Sequence, residues 1–200
     1  MTVTIIVCLI IIFILLIPRY QEPYVIRNVF SSDVCDHIIK LAEPRLTPSE
    51  ADEGGIIDVK TRKSETAWLN SSDSHTVERL IDKCTSFTDR QPINCEKLQV
   101  LKYKPGGFYR PHQDAFPLKK QPNPRLYTCM VALNDGYTGG ETIFPNLRKD
   151  FKLNKGDVLI FNTLNDYGYH TKKALHGGSP VNSGDKWVCN LWIHRHPYTE

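Results

Sequence analysis

The chain has 200 residues, 40% of them hydrophobic and 24% charged, with a formal net charge of +3. That length suits one domain with a real core behind a short leader. The small, scattered charge, with no arginine- or lysine-rich run, argues against a nucleic-acid partner.

Residues 1–17, MTVTIIVCLIIIFILLI, are almost wholly apolar, and Pro18 and Arg19 stop the run. As a helix the run spans roughly 25 Å, slightly short of a hydrocarbon core of about 30 Å. No basic segment precedes it and no A-x-A-like cleavage site follows, so residues 1–18 read as an uncleaved transmembrane signal anchor rather than a cleaved signal peptide. The lack of any polar face argues against a buried core helix. Arg19 and Arg27 follow the run, and the positive-inside bias taken alone leaves the domain at 19–200 in the cytoplasm.

A strand is predicted over 24–29. Ser31 or Ser32 then caps a helix with Val34, Ile38 and Leu41 on one stripe. Residues 47–57, with Pro48, Gly54, Gly55 and several acids, read as a loop. A second helix carries Val77, Leu80, Ile81, Cys84 and Phe87 at spacings of three and four, with Asp73 as its cap. From Lys97 onward the period changes to strands, at 98–103, 127–133, 142–144, 151–153, 157–161 and 187–193. Turn residues separate them, among them Asn134-Asp135-Gly136 and Ser183-Gly184-Asp185. Helices followed by many short strands indicate an α+β domain in which helices buttress a curled sheet or barrel. Residues 115–126, rich in proline and lysine, read as a loop beside the site of His112.

Six cysteines are present and none forms a C-x-x-C pair, which argues against a zinc ribbon or thioredoxin-type site. Cys84 and Cys95 bracket a short loop, and the sequence leaves open whether they form a bridge or stay free thiols.

Five of the seven histidines follow residue 111. In His112-Gln113-Asp114 the outer side chains share a face if the backbone is extended. Two ligands from one strand end and a third from a distant strand make a 2-His-1-carboxylate site, which leaves iron positions open. Alone, H-x-D is a weak signal. His170, His176, His194 and His196 are the available third ligands. His176 stands out because an apolar lead and two glycines allow close approach; the other three read as surface or supporting residues. Lys186 opens the apolar run KWVCNLWI, and an inward lysine is costly unless it meets an anion. A solvated edge-strand lysine is the competing reading.

From about Tyr24 to Pro197 the chain resembles the prolyl 4-hydroxylases of the collagen, plant and algal type. The resemblance is carried, in order, by TRKSETAWL, LQVLKYKPGGFYRPHQD, RLYTCMVALND, GGETIFP, KGDVLIFN, LHGGSPVNSGDKW and NLWIHR. It implies a double-stranded β-helix, or jelly roll, backed by helices, with the dioxygenase domain at 19–200. It implies Fe(II) held by His112, Asp114 and His176, and 2-oxoglutarate bound by Lys186, with Tyr103 and Thr128 hydrogen-bonding the same co-substrate. Tyr109, Arg62 and Trp192 match positions near the peptide-binding face; core or rim packing is their alternative role. The implied reaction is hydroxylation of peptidyl proline to 4-hydroxyproline with release of succinate and CO2, with L-ascorbate restoring oxidised iron. The partner is a proline-rich protein or peptide. The implied location is the endoplasmic reticulum, with a lumenal domain on a membrane anchor, against the orientation that the flanking charges favour. Competing readings are a hydroxylase of lysyl or other side chains, a non-catalytic binding module on the same fold, and a zinc hydrolase. The last lacks a glutamate base near the ligands.

Overall fold

The computed structural model describes residues 17–50, 57–116 and 122–199. Its strands are β1 (Tyr24–Ile26), β2 (Thr47–Pro48), β3 (Arg62–Lys63), β4 (Glu65–Leu69), β5 (Leu98–Tyr103), β6 (Phe108–His112) and β7 (Arg125–Ala132). They continue with β8 (Thr138–Gly139), β9 (Thr142–Phe144), β10 (Lys149–Phe151), β11 (Val158–Asn162), β12 (His176–Gly178), β13 (Val181–Ser183) and β14 (Lys186–His194). Among the described residues two α-helices, α1 (Ser32–Ala42) and α2 (His75–Thr85), precede most of the strands.

Among the described residues the strands make a seven-stranded sheet ordered β1-β11-β7-β14-β5-β4-β2, a five-stranded sheet ordered β10-β9-β12-β6-β3, and a small β13-β8 pair. The long strand β14 sits between β7 and β5 and is buried throughout, so its side chains supply two faces. Trp187, Cys189, Leu191 and Ile193 enter a core shared with Cys35 and Ile38 of α1 and Val77, Leu80 and Cys84 of α2. The alternate residues Lys186, Val188, Asn190 and Trp192 line the opposite, inner side. There a second core of Leu101, Phe144, Leu159, Phe161 and Val188 fills part of the space between the two large sheets. The molecule is therefore three layers deep, with helices on the outside of the large sheet and the open face between the sheets. This is the jelly roll backed by helices.

The helices form where the apolar spacing places them. Ser31 caps α1 by accepting from Val34 N, and the buried stripe is Cys35, Ile38 and Ala42. Ser74, not Asp73, caps α2, accepting from Thr76 N and Val77 N; Asp73 instead closes a short turn with Asn70. Cys84 and Cys95 form no bridge, and the five described cysteines are free thiols.

The membrane-anchored, endoplasmic-reticulum placement is corrected. Among the described residues no helix is long and apolar enough to cross a membrane. Residues 1–16, on which the anchor reading rested, lie outside the described residues, and Ile17 and Pro18 are not helical.

Candidate metal centre

Strand pairing brings the two imidazoles together. β12 runs antiparallel to β6 with His176 opposite His112, and their ring centroids are 4.5 Å apart. Gly177 makes that pairing close. A Cβ there would stand 2.8 Å from Tyr109 O and 2.9 Å from Pro111 N, so a side chain would prise β12 from β6. Asp114 follows the end of β6 and turns its carboxylate to the same point. His112 Nε2 lies 3.5 Å from Asp114 Oδ1 and His176 Nε2 lies 3.7 Å from Asp114 Oδ2. One ligand atom from each residue falls within 4.8 Å of the others, and among the described residues no second such cluster occurs.

Backbone carbonyls set the ring orientation. Nδ1 of His112 donates to Arg110 O at 2.9 Å, and Nδ1 of His176 donates to Ala174 O at 3.1 Å. With Nδ1 carrying the proton, each Nε2 presents a lone pair to the shared point. Burial drives His176 down to about 4, against the pull of Asp114, so its ring is neutral near pH 7. Burial by itself would raise the Asp114 carboxyl, but His176, His112 and Arg125 outweigh it and hold the group well below the usual carboxylate range. Thr128 Oγ1 adds a 2.5 Å hydrogen bond to Asp114 Oδ2. Two imidazole nitrogens and an ionised carboxylate directed at one point are a donor set suited to Fe(II).

The cluster lies on a cavity of about 360 Å³ between the sheets. Phe144 stacks on His176 at 5.5 Å, and Phe161 packs against both rings, 4.6 Å from His176 and 5.1 Å from Phe144. Lys186 also lines the cavity, although it is only 5% exposed. Its Nζ donates to Gly140 O at 2.7 Å, and burial, then nearby Lys152, lowers it to about 8 despite Glu141. Gly140 sits at φ +68°, and a Cβ there would stand 3.2 Å from Lys186 Cδ, so the glycine leaves room for the lysine stem. Tyr103 lies opposite Lys186 in the β5–β14 register and lines the same space.

The remaining sequence-derived residues divide. Tyr109 stacks on His112 at 3.7 Å, and Arg62 lies over Tyr109 at 4.6 Å while reaching Ser64 Oγ and Glu50 O. Trp192 lines the cavity beneath the Arg125 guanidinium, 3.8 Å from the ring centroid. Thr128 does not line the cavity, because its hydroxyl is turned to Asp114; Thr142, which the sequence reading missed, lines it instead. Also missed was the group of buried Glu96 and His194 with half-buried Arg125. Arg125 Nε and His194 Nε2 reach Glu96 Oε1 at 2.5 Å and 2.7 Å. His194 is 1% exposed, so it is no surface residue. No spacing in the sequence points to this group, since its members come from three separated segments.

The profile of the 2OG-Fe(II) oxygenase superfamily matches residues 98–194. A putative prolyl 4-hydroxylase of Acanthamoeba polyphaga mimivirus is 30% identical over 190 residues, covering 90% of this chain and 77% of that protein. The probable prolyl 4-hydroxylase 6 of Arabidopsis thaliana is 33% identical over 196 residues, covering 86% and 68%. The chain belongs to the prolyl 4-hydroxylase family. Within this family, the viral collagen prolyl hydroxylase of Paramecium bursaria Chlorella virus-1, solved as a 2OG complex, superposes with a TM-score of 0.73. That match has 30% identity and covers 87% of this chain and 96% of that one. A family member of this kind is a 2-oxoglutarate-dependent dioxygenase, and the donor set at His112, Asp114 and His176 fits its iron.

Proposed function

We propose that residues 19–200 hydroxylate prolyl residues of protein or peptide chains to 4-hydroxyproline, converting 2-oxoglutarate and O2 to succinate and CO2. The observation that carries this reading is the convergence of His112, Asp114 and His176 on a cavity that also holds the buried ammonium of Lys186. Family membership supports the same reading.

In this assignment His112 and His176 hold Fe(II) through Nε2 and Asp114 holds it through its carboxylate. When bound, Fe(II) supplies the activation of O2 and its coupling to decarboxylation of 2-oxoglutarate. Lys186 binds the distal carboxylate, and its bond to Gly140 O keeps the ammonium oriented while the site is empty of that anion. Tyr103 assists from the opposing strand. Thr128 has a different role from the one its sequence position suggested: it positions Asp114. Phe144 and Phe161 exclude water around His176. Tyr109, Arg62 and Trp192 at the cavity wall hold the prolyl segment. L-ascorbate is the reductant expected to keep the iron ferrous.

The test is incubation of the purified protein with Fe(II), 2-oxoglutarate and proline-containing peptides, scored by mass spectrometry. The expected result is the gain of one oxygen atom on proline, matched by succinate and abolished by a chelator. Succinate release with no oxygen gained on any prolyl peptide would sink the substrate assignment.

A further inference from the structure

The turn between β8 and β9 lies against two ammonium groups, and the anchor Lys186 is only one of them. Lys186 Nζ donates to Gly140 O at 2.7 Å. Lys152, the exposed residue after β10, donates from Nζ to Tyr137 O at 3.0 Å and to Gly139 O at 2.8 Å. The same ammonium stands 3.4 Å from the centroid of the Tyr137 ring, a cation–π contact. Carbonyls of one short turn thus accept from two lysines. One follows a strand of the five-stranded sheet, and the other opens a strand of the seven-stranded sheet.

The turn needs such support. Gly139 and Gly140 both sit at φ +68°, and a Cβ on Gly139 would stand 2.5 Å from Pro180 O. Consecutive glycines lose more chain entropy on ordering than other residues, so contacts from outside the turn decide where it lies. β8 belongs to neither large sheet and pairs with the short β13, and Gly140 N donates to Pro180 O at 3.0 Å.

Where the turn lies matters for Lys186. An ammonium carries three donors. Gly140 O takes one of them, so its position sets the direction of the two that remain for a carboxylate. Charge adds to this. Burial is the main influence that lowers Lys186; Lys152 comes next, and Glu141 opposes both. Tyr103 of β5 faces the ammonium at 5.5 Å. Tyr137 lies beside the Lys186 stem and, pushed up to about 12 by burial, Glu141 and Asp135, is neutral near pH 8. Lys152 is itself lowered by burial, against Glu141 and Asp135.

We propose that Lys152 is a positioning residue for 2-oxoglutarate: it clamps the 137–140 turn so that Gly140 O aims the Lys186 ammonium at the distal carboxylate, and it sets a second positive charge beside that anchor. This rests on the dioxygenase reading above and on Lys186 as its anchor. The iron ligands lie on or just past β6 and on β12, away from the clamp.

The test compares the wild type with Lys152→Met and Lys152→Arg. Affinity for 2-oxoglutarate is measured by calorimetry on the anaerobic Fe(II)-loaded protein, beside bound iron and succinate kinetics. The Lys186 titration is followed by NMR of isotope-labelled lysine in the metal-free protein, assigned with Lys186→Met. In Lys152→Met, Kd and KM for 2-oxoglutarate should rise on the order of fivefold to tenfold near pH 7. Bound iron and kcat at saturating 2-oxoglutarate should change by less than about twofold. Lys186 should lose its proton at higher pH, because a like charge has gone, and the alkaline rise in KM should move with it. Lys152→Arg, which keeps charge and donors, should return each value toward wild type. Unchanged affinity in Lys152→Met overturns the proposal. Loss of iron or kcat in step with affinity also overturns it, since that marks a general contribution to folding. An unmoved Lys186 titration overturns it too, because Lys152 would then not act on the anchor. A wild-type protein that binds no 2-oxoglutarate with Fe(II) present would instead sink the reading of the site itself, so the two failures are distinct.

Discussion

Lys186 is the residue whose environment most clearly divides stability from function. Burial lowers it from 10.5 to about 8, so near pH 7 the folded protein holds a charged ammonium in a site that disfavours it. Between about 8 and 10.5 the unfolded chain binds more protons than the folded one, and stability rises with pH across that interval. Below about 8 the penalty is present in full. Lys186→Met should therefore stabilise the protein at pH 7, by up to about 3 kcal/mol, read from denaturant midpoints. The same charge is the proposed anchor for 2-oxoglutarate. Its KM should rise as pH climbs through about 8, where the ammonium loses its proton, and a flat profile there would count against the anchor. The triad differs in kind from the anchor. His112→Ala or His176→Ala removes a ligand and should abolish both Fe(II) binding and turnover. Lys186→Ala should leave iron bound while the KM for 2-oxoglutarate rises on the order of tenfold to a hundredfold. Metal analysis beside succinate kinetics separates the two, and equal iron loss in all three variants would refute the anchor role.

At the level of elements, the site depends on β6 and β12 lying close enough for two imidazoles to share one point. Gly177→Ala adds a Cβ that meets Tyr109 O at 2.8 Å and Pro111 N at 2.9 Å, both backbone atoms that cannot swing aside. The strands should part by a few tenths of an ångström or more, weakening Fe(II) affinity at least about tenfold with far-ultraviolet dichroism retained. An unchanged metal affinity would show that the pairing is looser than the register indicates. These two strands are also where the sequence was least legible. β5 is read at its exact bounds from its apolar content and the Pro-Gly-Gly stop, and β9 likewise falls where predicted. β6 opens with Phe108-Tyr109 but is interrupted by Pro111, and β12, His176-Gly177-Gly178, lacks residues that favour extended structure; tertiary pairing, of β6 with β3 and β12 and of β12 with β6 and β9, holds both in place. The three residues that converge, His112, Asp114 and His176, were legible because they sit in ordered motifs. Thr128 was misread because a threonine near a site can turn to the ligand as readily as to the co-substrate. The Glu96–Arg125–His194 group left no trace in spacing, since alternation along a strand tells which face a residue takes and not what it meets there.

At the scale of the molecule, the two cores differ in what completes them. The outer core, between the large sheet and α1 and α2, is filled by protein alone, with Ile38, Leu80, Leu98 and Leu191 at 1% exposure or less. The inner space is only partly filled by Phe144, Phe161 and their neighbours, and the rest is cavity walled by an ionised carboxylate, a neutral imidazole and an ammonium. Those groups cost free energy to bury and are compensated when a cation and a dicarboxylate arrive. Ligands that bind only the folded state then add RT ln(1 + [L]/Kd), about 2.7 kcal/mol at a hundredfold excess over Kd. For a chain of this size that corresponds to a rise in Tm of roughly 5–10 °C. Fe(II) under anaerobic conditions should raise Tm, 2-oxoglutarate should add to the rise once metal is present, and a chelator should return the protein to its starting value. His176→Ala should lose the response to metal, and Lys186→Ala should keep it while losing most of the increment from 2-oxoglutarate. Because the outer core touches none of these groups, hydrogen exchange should slow mainly in β6, β9 and β12 on loading and little in α1 and α2. Uniform protection of both layers would mean that the helices and the site form one cooperative unit, and the division into a self-sufficient outer core and a ligand-completed inner one would be wrong.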